Sequence, residues 1–332
     1  MTRTIVIIHP GGLGDVLLAV SSMIRLRTRF HSHRLMLCAQ DQVARLLLAC
    51  GIIDDWISVQ GQACASLFAG ADSVEGQLQA WLKDCDLAIG WMEDHGGTLS
   101  EKLRMVGARE AVVLSPFSST IHAIHQRDRF LEAIHEAPAD GGETGILTMP
   151  EPLLHLGQIC LNDAGVPVGS LLAVIHPGSG SAQKCVASAV LAFGMDAIQT
   201  FGAIPVILEG PADREPVERL MQSCVSSPIV LKGLDLLTLA GVLAQASLFV
   251  GQDSGVTHLA GLMGVRTVAL FGPTDPARWA PSGPKVTVLQ GAPCLCQSWS
   301  DVSRCEGKPC LKVSQAHLEA VCLAHLREAA FR

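Results

Sequence analysis

The stretch LFVGQDSGVTHLAGLMGVRTVALFGPTDPARW, residues 248–279, decides the fold. It predicts a buried β-strand over 248–251, a helix near 254–263 and a second strand over 267–272. One strand followed by a helix and another strand is the repeating unit of a parallel α/β sheet. We therefore expect at least one domain with a parallel sheet covered by helices.

The turn between the first strand and the helix is a candidate anion-binding loop. Asp253 or Ser254 can cap the helix, and Gly255 leaves the amides of the first turn accessible. Helix N-termini bind phosphate through such unpaired N–H groups and the positive end of the helix dipole. His258 lies one turn further on, where it can face a phosphate or pack as a buried structural residue.

The same alternation of strands and helices runs outward to both ends of the chain. Residues 137–152 contain three Gly and three Pro without periodicity, which favours a linker. We therefore predict two doubly wound domains, 1–150 and 151–332, facing across a cleft, with the last helix, 314–330, a candidate to pack back on the first domain. The other predicted strands are 4–8, 34–38, 56–59, 86–90, 111–114, 171–175, 204–208, 228–231 and 285–289. The other predicted helices lie near 15–29, 40–49, 74–83, 99–106, 120–136, 187–201, 213–222 and 235–245.

Composition excludes several classes of protein. The 332 residues are 49% hydrophobic and 17% charged, which is not the profile of a disordered or coiled-coil chain. The formal net charge of −7 argues against a general nucleic-acid binder. The longest apolar stretch, 236–251, is interrupted by polar residues and predicts a helix followed by a strand, not a bilayer span. Without a signal-peptide pattern, and with eight cysteines scattered mostly in apolar segments as core thiols, we expect a cytoplasmic protein.

The first strand ends in HPGGLGDVLLA, residues 9–19. This is not a dinucleotide fingerprint, because Leu17 stands where the third glycine belongs, and no P-loop lysine follows. Gly12 and Gly14 instead form a bend that places Asp15 in the first turn of a helix. Asp15 is either a simple helix cap or a general base for a substrate hydroxyl.

Two further loops follow strands in the second half. HPGSGSAQK, residues 176–184, offers small residues such as Ser179 and Gly180 for close backbone approach, and Lys184 adds a positive charge that suits a diphosphate. LEGPADRE, residues 208–215, offers carboxylates that can accept ribose hydroxyls. Taken alone, each loop can also be an ordinary solvated turn.

Together, GGLGDVLLA, HPGSGSAQK, EGPADRE and DSGVTHLAGLMG followed by FGPTDP resemble glycosyltransferase family 9, the ADP-heptose:lipopolysaccharide heptosyltransferases. The resemblance spans essentially the whole chain, and its most specific part is the last pair of motifs. It implies a GT-B fold of two Rossmann-like domains and inversion at the anomeric carbon without a metal ion. The N-terminal domain would hold a lipid-linked acceptor, and the C-terminal domain would hold the nucleotide sugar.

The resemblance also implies roles for individual residues. Asp15 would be the base that deprotonates an acceptor hydroxyl, and Lys184 would stabilise the leaving diphosphate. The remaining substrate-binding candidates are Gly12 and Gly14 at the acceptor side, Ser179, Gly180, Ser254, Gly255, Val256 and His258 around the diphosphate, Asp253 at the donor sugar or its phosphate, Asp213 or Glu215 at the ribose, and the backbone near Gly233 and Leu234 at the adenine.

The sequence departs from the family pattern in three places. Cys185 follows Lys184 where many relatives have an aromatic residue soon after, Ser21 and Ser22 stand where Pro is common, and Asp235 replaces a small hydroxyl residue. These changes leave the identity of the donor base and the choice of acceptor open.

Two clusters have competing interpretations. Cys294, Cys296, Cys305 and Cys310 can in principle bind zinc, but C-x-C is less typical of zinc sites than C-x2-C, and we assign no metal ligand. The basic cluster is either a solvated helix end or a patch for a phosphorylated acceptor or anionic lipid. Its members are Arg25, Arg27, Arg29, His31, His33 and Arg34.

The sequence thus predicts an inverting, metal-independent glycosyltransferase without a cofactor. It would transfer heptose from ADP-heptose or a related nucleotide sugar to a lipid-linked lipopolysaccharide inner-core acceptor, at the inner face of the inner membrane and without nucleic acid as a partner. The alternatives are a GT-B nucleotide-sugar epimerase and a non-catalytic nucleotide-sugar-binding protein.

Overall fold

The computed structural model describes residues 3–68, 74–116, 124–136, 147–225, 227–296 and 298–330. The chain divides into two compact units, Met1–Gly145 and Ile146–Arg332. The sequence analysis places the boundary after residue 150. The larger part of its linker, 137–146, lies outside the described residues, as do 120–123 of one predicted helix.

The N-terminal unit contains a five-stranded parallel sheet with the strand order β3-β2-β1-β4-β5. Its central strand is buried along its whole length, which explains why TIVII is apolar apart from Thr4, whose hydroxyl donates to the Trp81 carbonyl at 2.8 Å. The strands are β1 (Thr4–Ile8), β2 (Arg34–Ala39), β3 (Asp55–Ser58), β4 (Cys85–Gly90) and β5 (Glu110–Val113). The helices are α1 (Leu13–Leu18), α2 (Val20–Arg29), α3 (Asp41–Ala49), α4 (Gln62–Phe68), α5 (Gly76–Lys83), α6 (Thr98–Val106) and α7 (Gln126–Glu132), with a 3₁₀ turn at His95–Gly97.

The C-terminal unit contains a six-stranded parallel sheet with the order β11-β10-β9-β6-β7-β8. Its first strand lies inside the sheet, as in doubly wound nucleotide-binding folds. The strands are β6 (Leu172–His176), β7 (Ile204–Glu209), β8 (Ile229–Lys232), β9 (Leu248–Gln252), β10 (Thr267–Phe271) and β11 (Val286–Gln290). The helices are α8 (Glu151–Asp163), α9 (Ser188–Thr200), α10 (Arg214–Ser223), α11 (Leu236–Ala244), α12 (Gly255–Leu262), α13 (Pro276–Trp279), α14 (Trp299–Arg304) and α15 (Gln315–Ala330), with 3₁₀ turns at Ala182–Lys184 and Pro309–Leu311.

The predicted fold class is confirmed for each unit, and every strand in the described residues was predicted to within two residues at each end. The helix predicted over 15–29 is instead two helices that meet at Ala19. α4, α8, α13 and α14 were not predicted. α15 packs on α9 within the C-terminal unit, and its predicted packing on the N-terminal unit stays a prediction.

Two glycines explain how α8 joins the C-terminal unit. α8 packs on α11, and a Cβ on Gly157 would lie 2.0 Å from the carbonyl carbon of Gly241. A Cβ on Gly241 would lie 2.1 Å from the carbonyl oxygen of Leu153. The backbones of the two helices therefore touch, which only glycine at both positions permits.

Cys38 in β2 and Cys64 in α4 are joined as a disulfide, and both are fully buried. The sequence analysis took these two residues for core thiols, and for this pair that interpretation is wrong. They lie on different elements of the N-terminal unit, so the pairing depends on how α4 packs and is not visible as a local spacing.

Candidate functional site

The predicted phosphate-binding loops meet at one edge of the C-terminal sheet. β6 lies between β7 and β9, and His176 at the end of β6 is in register with Gly251 of β9. The loops that follow these strands therefore leave the sheet side by side. In doubly wound sheets, ligands bind where the strand order reverses, and β6 and β9 flank that point here.

The loop after β9 forms a helix N-terminus. The Ser254 hydroxyl caps α12, accepting a hydrogen bond from the Thr257 N–H at 3.4 Å. The first backbone hydrogen bond of the helix runs from the His258 N–H to the Ser254 carbonyl at 3.2 Å. Gly255 and Val256, whose N–H groups precede this bond, are partly exposed residues. This is the geometry that favours an anion.

Lys184 and Asp253 form an ion pair at this helix terminus. The Lys184 Nζ lies 2.8 Å from the Asp253 carboxylate, and the lysine side chain is partly exposed whereas the aspartate is buried. Ser179 holds the same loop in place, because its hydroxyl donates to the Asp253 carbonyl at 2.6 Å. An ammonium group has three donors, so Lys184 can bind Asp253 and still donate to a diphosphate.

A buried histidine that sequence reasoning missed connects three loops. His176 contacts the Asp213 carboxylate through Nε2 at 2.9 Å and the Ser254 hydroxyl through Nδ1 at 3.2 Å. The Gly210 N–H also donates to Asp213, at 2.9 Å. Burial alone would raise the pKa of Asp213, but the hydrogen bond and charge of His176, together with the Gly210 N–H, outweigh burial and lower it.

These contacts give Asp213 a bridging role. A Cβ on Gly178 would lie 1.7 Å from Asp213 Oδ1, so the carboxylate is seated directly against the loop after β6. Asp213 is 6% exposed, whereas Glu215 is exposed and its carboxylate lies 3.5 Å from Arg219. The assignment of either carboxylate to a ribose stays a prediction.

The other C-terminal candidates lie around this edge. Gly180 is exposed, and a Cβ there would meet no atom within 4 Å. Gly233 follows β8 with φ of 63°, and Leu234 beside it is partly exposed. His258 is buried inside α12. Asp235 caps α11 through the Thr238 N–H at 2.8 Å, the task that a small hydroxyl residue performs equally well.

The N-terminal candidates lie on the bend after β1. The Gly12 N–H donates to the Asp15 carboxylate at 3.0 Å, at the start of α1. Gly14 lies within that helix. Asp15 is partly exposed. The capping role of Asp15 is thus present in the structure, and its role as a base stays a prediction.

His9, beneath this bend, was also missed. The residue is 1% exposed, its Nδ1 accepts from the Gly11 N–H at 3.2 Å, and its ring centroid lies 5.7 Å from that of Trp91 and 5.3 Å from that of Phe130. Burial lowers the pKa of His9 to about 4, although backbone groups at Asp15 and at His9 itself oppose the change. The tripeptide His-Pro-Gly, which occurs at 9–11 and again at 176–178, was the available signal for both histidines.

The basic cluster is largely paired with acids. Arg27 binds Asp54 with two guanidinium nitrogens, at 2.9 and 3.3 Å. His33 contacts Asp86 at 2.8 Å. Arg29 and Arg34 lie 4.0 and 3.6 Å from the carboxylates of Glu136 and Asp55, while Arg25 and His31 are exposed. The patch therefore carries less net positive charge than its sequence indicates.

Across the described part of the chain, no helix is both long enough and apolar enough to span a bilayer.

Comparison with known proteins finds a family match within the C-terminal unit. Residues 158–303 match the family model of glycosyltransferase family 9 (heptosyltransferase). Lipopolysaccharide heptosyltransferase 3 of Escherichia coli is 32% identical over 125 residues, which are 36% of this chain and 36% of that protein. The chain thus aligns with little more than a third of the length of this curated relative. The resemblance predicted from the motifs is confirmed.

Solved structures extend the likeness in fold to both units. The family 9 glycosyl transferase of Veillonella parvula is 20% identical, with a TM-score of 0.81 and 98% of each chain covered. The ADP-heptose lipopolysaccharide heptosyltransferase II of Escherichia coli is 16% identical, with a TM-score of 0.75, covering 99% of this chain and 100% of that one. At these identities the likeness establishes the fold.

Proposed function

We propose that this chain, whose C-terminal unit carries the family 9 match, transfers a heptose from ADP-heptose to a lipid-linked lipopolysaccharide inner-core acceptor. The transfer inverts the anomeric configuration and uses no metal ion at the reacting atoms. The observation that carries the proposal is the Lys184–Asp253 ion pair at the partly exposed N-terminus of α12. The two Escherichia coli relatives are named as lipopolysaccharide heptosyltransferases, and the segment that matches the family contains both residues of the pair.

The C-terminal loops are suited to the leaving group. The amides of Gly255 and Val256 and the ammonium of Lys184 would bind the two phosphates of the donor. As the bond between the anomeric carbon and the phosphate oxygen breaks, negative charge grows on the diphosphate. Donors already fixed in position stabilise that charge without reorganisation, which lowers the barrier. Asp253 holds Lys184 in place and can also accept from a hydroxyl of the sugar.

The N-terminal loop would supply the base. An acceptor hydroxyl attacks the anomeric carbon, its proton passes to the Asp15 carboxylate, and ADP departs from the opposite face of the sugar. This step requires Asp15 to reach the sugar bound by the C-terminal unit. Asp15 lies outside the segment that matches the family, so its role depends most on experiment.

The acceptor chemistry favours work at a membrane surface. A lipid-linked oligosaccharide is held in a bilayer, and we place the enzyme at the inner face of the inner membrane, with Arg25 as an exposed cation that would meet phosphate groups. The contact would be peripheral and salt-sensitive.

The test is transfer with purified components. We expect ADP release and a mass gain of one heptose on a heptose-deficient core acceptor, with no metal ion added. Asp15→Asn retains an oxygen that can accept from Gly12 but cannot take a proton at neutral pH, so the mass gain should be lost. Asp41→Asn, in the first turn of α3, is the matched control and should transfer normally.

The outcomes separate the alternatives. ADP-heptose binding without ADP release, unchanged by Asp15→Asn, would move the assignment to a non-catalytic binding protein. Conversion of ADP-heptose to its epimer without acceptor would move it to an epimerase.

A further inference from the structure

Four cysteines converge in the loops between β11 and α15. The Sγ of Cys294 lies 3.0 Å from that of Cys296 and 3.8 Å from that of Cys305, and all three sulfurs lie within 4.8 Å of one another. Cys310 is a neighbour of this group, because the charges of Cys294 and Cys305 act on its thiol. Three cysteines spread over twelve positions of sequence thus place their sulfurs around one point, with a fourth cysteine beside them.

The spacing of the sulfurs fits a metal ion. Four thiolates at about 2.3 Å from a central ion, arranged as a tetrahedron, are separated from one another by about 3.8 Å. The Cys294–Cys305 distance equals that edge, and Cys294–Cys296 is shorter than it but well beyond a disulfide bond of about 2.05 Å. Cys310 is 3% exposed and the other three are partly buried, so the cluster has one closed side.

The backbone around the cluster is fixed independently of the sulfurs. The Gly291 N–H donates to the Cys310 carbonyl at 2.8 Å, which joins the end of β11 to the turn at Pro309–Leu311. Ser298 and Asp301 form a capping box that starts α14 between Cys296 and Cys305. The four cysteines are therefore delivered from a strand exit, a helix end and a 3₁₀ turn. Sites that hold a structural metal are commonly assembled in this manner, from short elements with little core of their own.

The same loops contact the Lys184 loop. Trp299, the first residue of α14, has its ring centroid 5.7 Å from the Lys184 Nζ, although the residue is 54% exposed. The Lys308 ammonium donates to the Gln183 side-chain oxygen. Both contacts come from residues that lie between cysteines of the cluster.

We propose that Cys294, Cys296, Cys305 and Cys310 bind one thiophilic transition-metal ion, zinc or iron, and that this ion holds Trp299 and Lys308 against the Lys184 loop. The thiols lose their protons to solvent when the ion binds, and no electron is transferred. The site is structural and goes beyond the proposed transfer reaction. It replaces the sequence-based assignment of no metal ligand.

The first experiment counts metal in the full-length protein. After purification from medium supplied with zinc and iron, we expect about one ion per chain by elemental mass spectrometry, and the element found distinguishes the two metals. The double variant Cys294→Ser, Cys305→Ser should lose it. The control Cys50→Ser, Cys160→Ser changes two cysteines outside the cluster and should retain it. Less than a tenth of an equivalent in the wild type, or full retention in the double variant, would overturn the site.

A second measurement keeps the proposal testable if the double variant does not fold. Cobalt added to metal-depleted wild-type protein should give the absorption bands of a tetrahedral thiolate complex, and the four cysteines should resist alkylation only when metal is bound. Ordinary alkylation of all four in the metal-loaded protein, or a Cys294–Cys296 disulfide as its dominant form, would contradict the site.

The positioning of Trp299 has its own readout. Removing the metal should change tryptophan emission in the wild type, and Trp299→Phe should abolish that change because the other tryptophans lie outside the cluster loops. Equal changes in both proteins would show that the ion does not hold Trp299. None of these measurements uses a nucleotide sugar, so their failure would not touch the proposed function.

Discussion

The two units place the same tripeptide at the same point of their sheets and surround it differently. His9-Pro10-Gly11 follows β1, and His176-Pro177-Gly178 begins at the last residue of β6. In each sheet this is the strand at which the order reverses. Each glycine lies against a neighbouring side chain, since a Cβ would approach His9 to 2.7 Å at Gly11 and Asp213 to 1.7 Å at Gly178.

The two histidines differ in the side chains that surround them. His9 is enclosed by Trp91 and Phe130, and its Nε2 has no hydrogen-bond partner among the described residues. His176 instead contacts Asp213 on one nitrogen and Ser254 on the other. In the N-terminal unit, the histidine packs in an apolar pocket under the loop that carries the Asp15 carboxylate. In the C-terminal unit, the histidine belongs to a hydrogen-bond network that connects three loops around the N-terminus of α12.

The contrast indicates a division of labour. The apolar packing of His9 against Trp91 and Phe130 supports the loop that carries Asp15. A network that fixes Lys184 and the start of α12 suits the recognition of a diphosphate. Substitutions in the N-terminal loop and in the C-terminal network should therefore impair different properties of the protein.

The largest effect should separate chemistry from binding. Asp15→Asn should lower the transfer rate by about a thousandfold, within the range expected for loss of a general base. ADP binding, followed by calorimetry, should remain within twofold of the wild type. A parallel loss of ADP affinity would remove the distinction between the two points.

The next effect concerns pH and the N-terminal unit. His9 has its pKa lowered to about 4 from 6.5 on folding, so the folded state resists protonation. The free energy of unfolding is therefore highest above pH 6.5, where His9 is neutral in both states. It falls by up to about 3 kcal/mol as the pH drops from 6.5 to 4, because the unfolded state takes up the proton first. His9→Asn retains an acceptor for Gly11 and cannot titrate in this range. Its melting temperature should fall less than that of the wild type between pH 7.5 and 5.

The control for this prediction is an exposed histidine. His155→Asn, on the surface of α8, should follow the wild-type pH dependence. An unchanged pH slope in His9→Asn would mean that His9 does not set the acid sensitivity of its unit.

A smaller effect should appear in the C-terminal network. Asp213→Asn removes the charge that faces His176 and should destabilise the C-terminal unit by about 2 kcal/mol. Hydrogen exchange should rise in residues 176–180 and 254–258 and stay unchanged near residue 9. Asp196→Asn, on α9 and outside the network, is the matched control. Protection equal to the wild type in both segments would exclude a bridging role for Asp213.

The smallest effect should fall on recognition of the phosphates. Lys184→Gln keeps a donor but removes the charge, and ADP should bind roughly tenfold more weakly, a difference of about 1.4 kcal/mol. Lys83→Gln, at the end of α5, carries the same change in the other unit and should bind normally. We expect the effect of Lys184→Gln to shrink at high salt, since part of it is charge attraction.

Sequence reasoning performed well where structure is local. The strands could be predicted because each is a short run rich in β-branched or apolar residues, and the central strands, such as TIVII and TVALF, are buried along their whole length. The loops after β6 and β9 were found because small residues and a capping serine mark them. α13 and α14 were missed because they have only 4 and 6 residues, too few for a helical period to show.

Contacts between side chains of different loops could not be predicted from local sequence patterns. His9, Trp91 and Phe130 are distant in sequence, and nothing in their spacing indicates that they meet. The contact of Trp299 with Lys184 and the Cys38–Cys64 disulfide were hidden for the same reason.

The amino-acid sequence alone determined the two α/β units and which loops carry Asp15, Lys184 and Ser254, because hydrophobic period, glycine and capping residues act over a few positions. The tertiary structure decided that His9 is neutral in an aromatic pocket whereas His176 is bound to Asp213. That outcome depends on strand order, which brings side chains from distant loops within hydrogen-bonding range and so sets their charge and their chemistry.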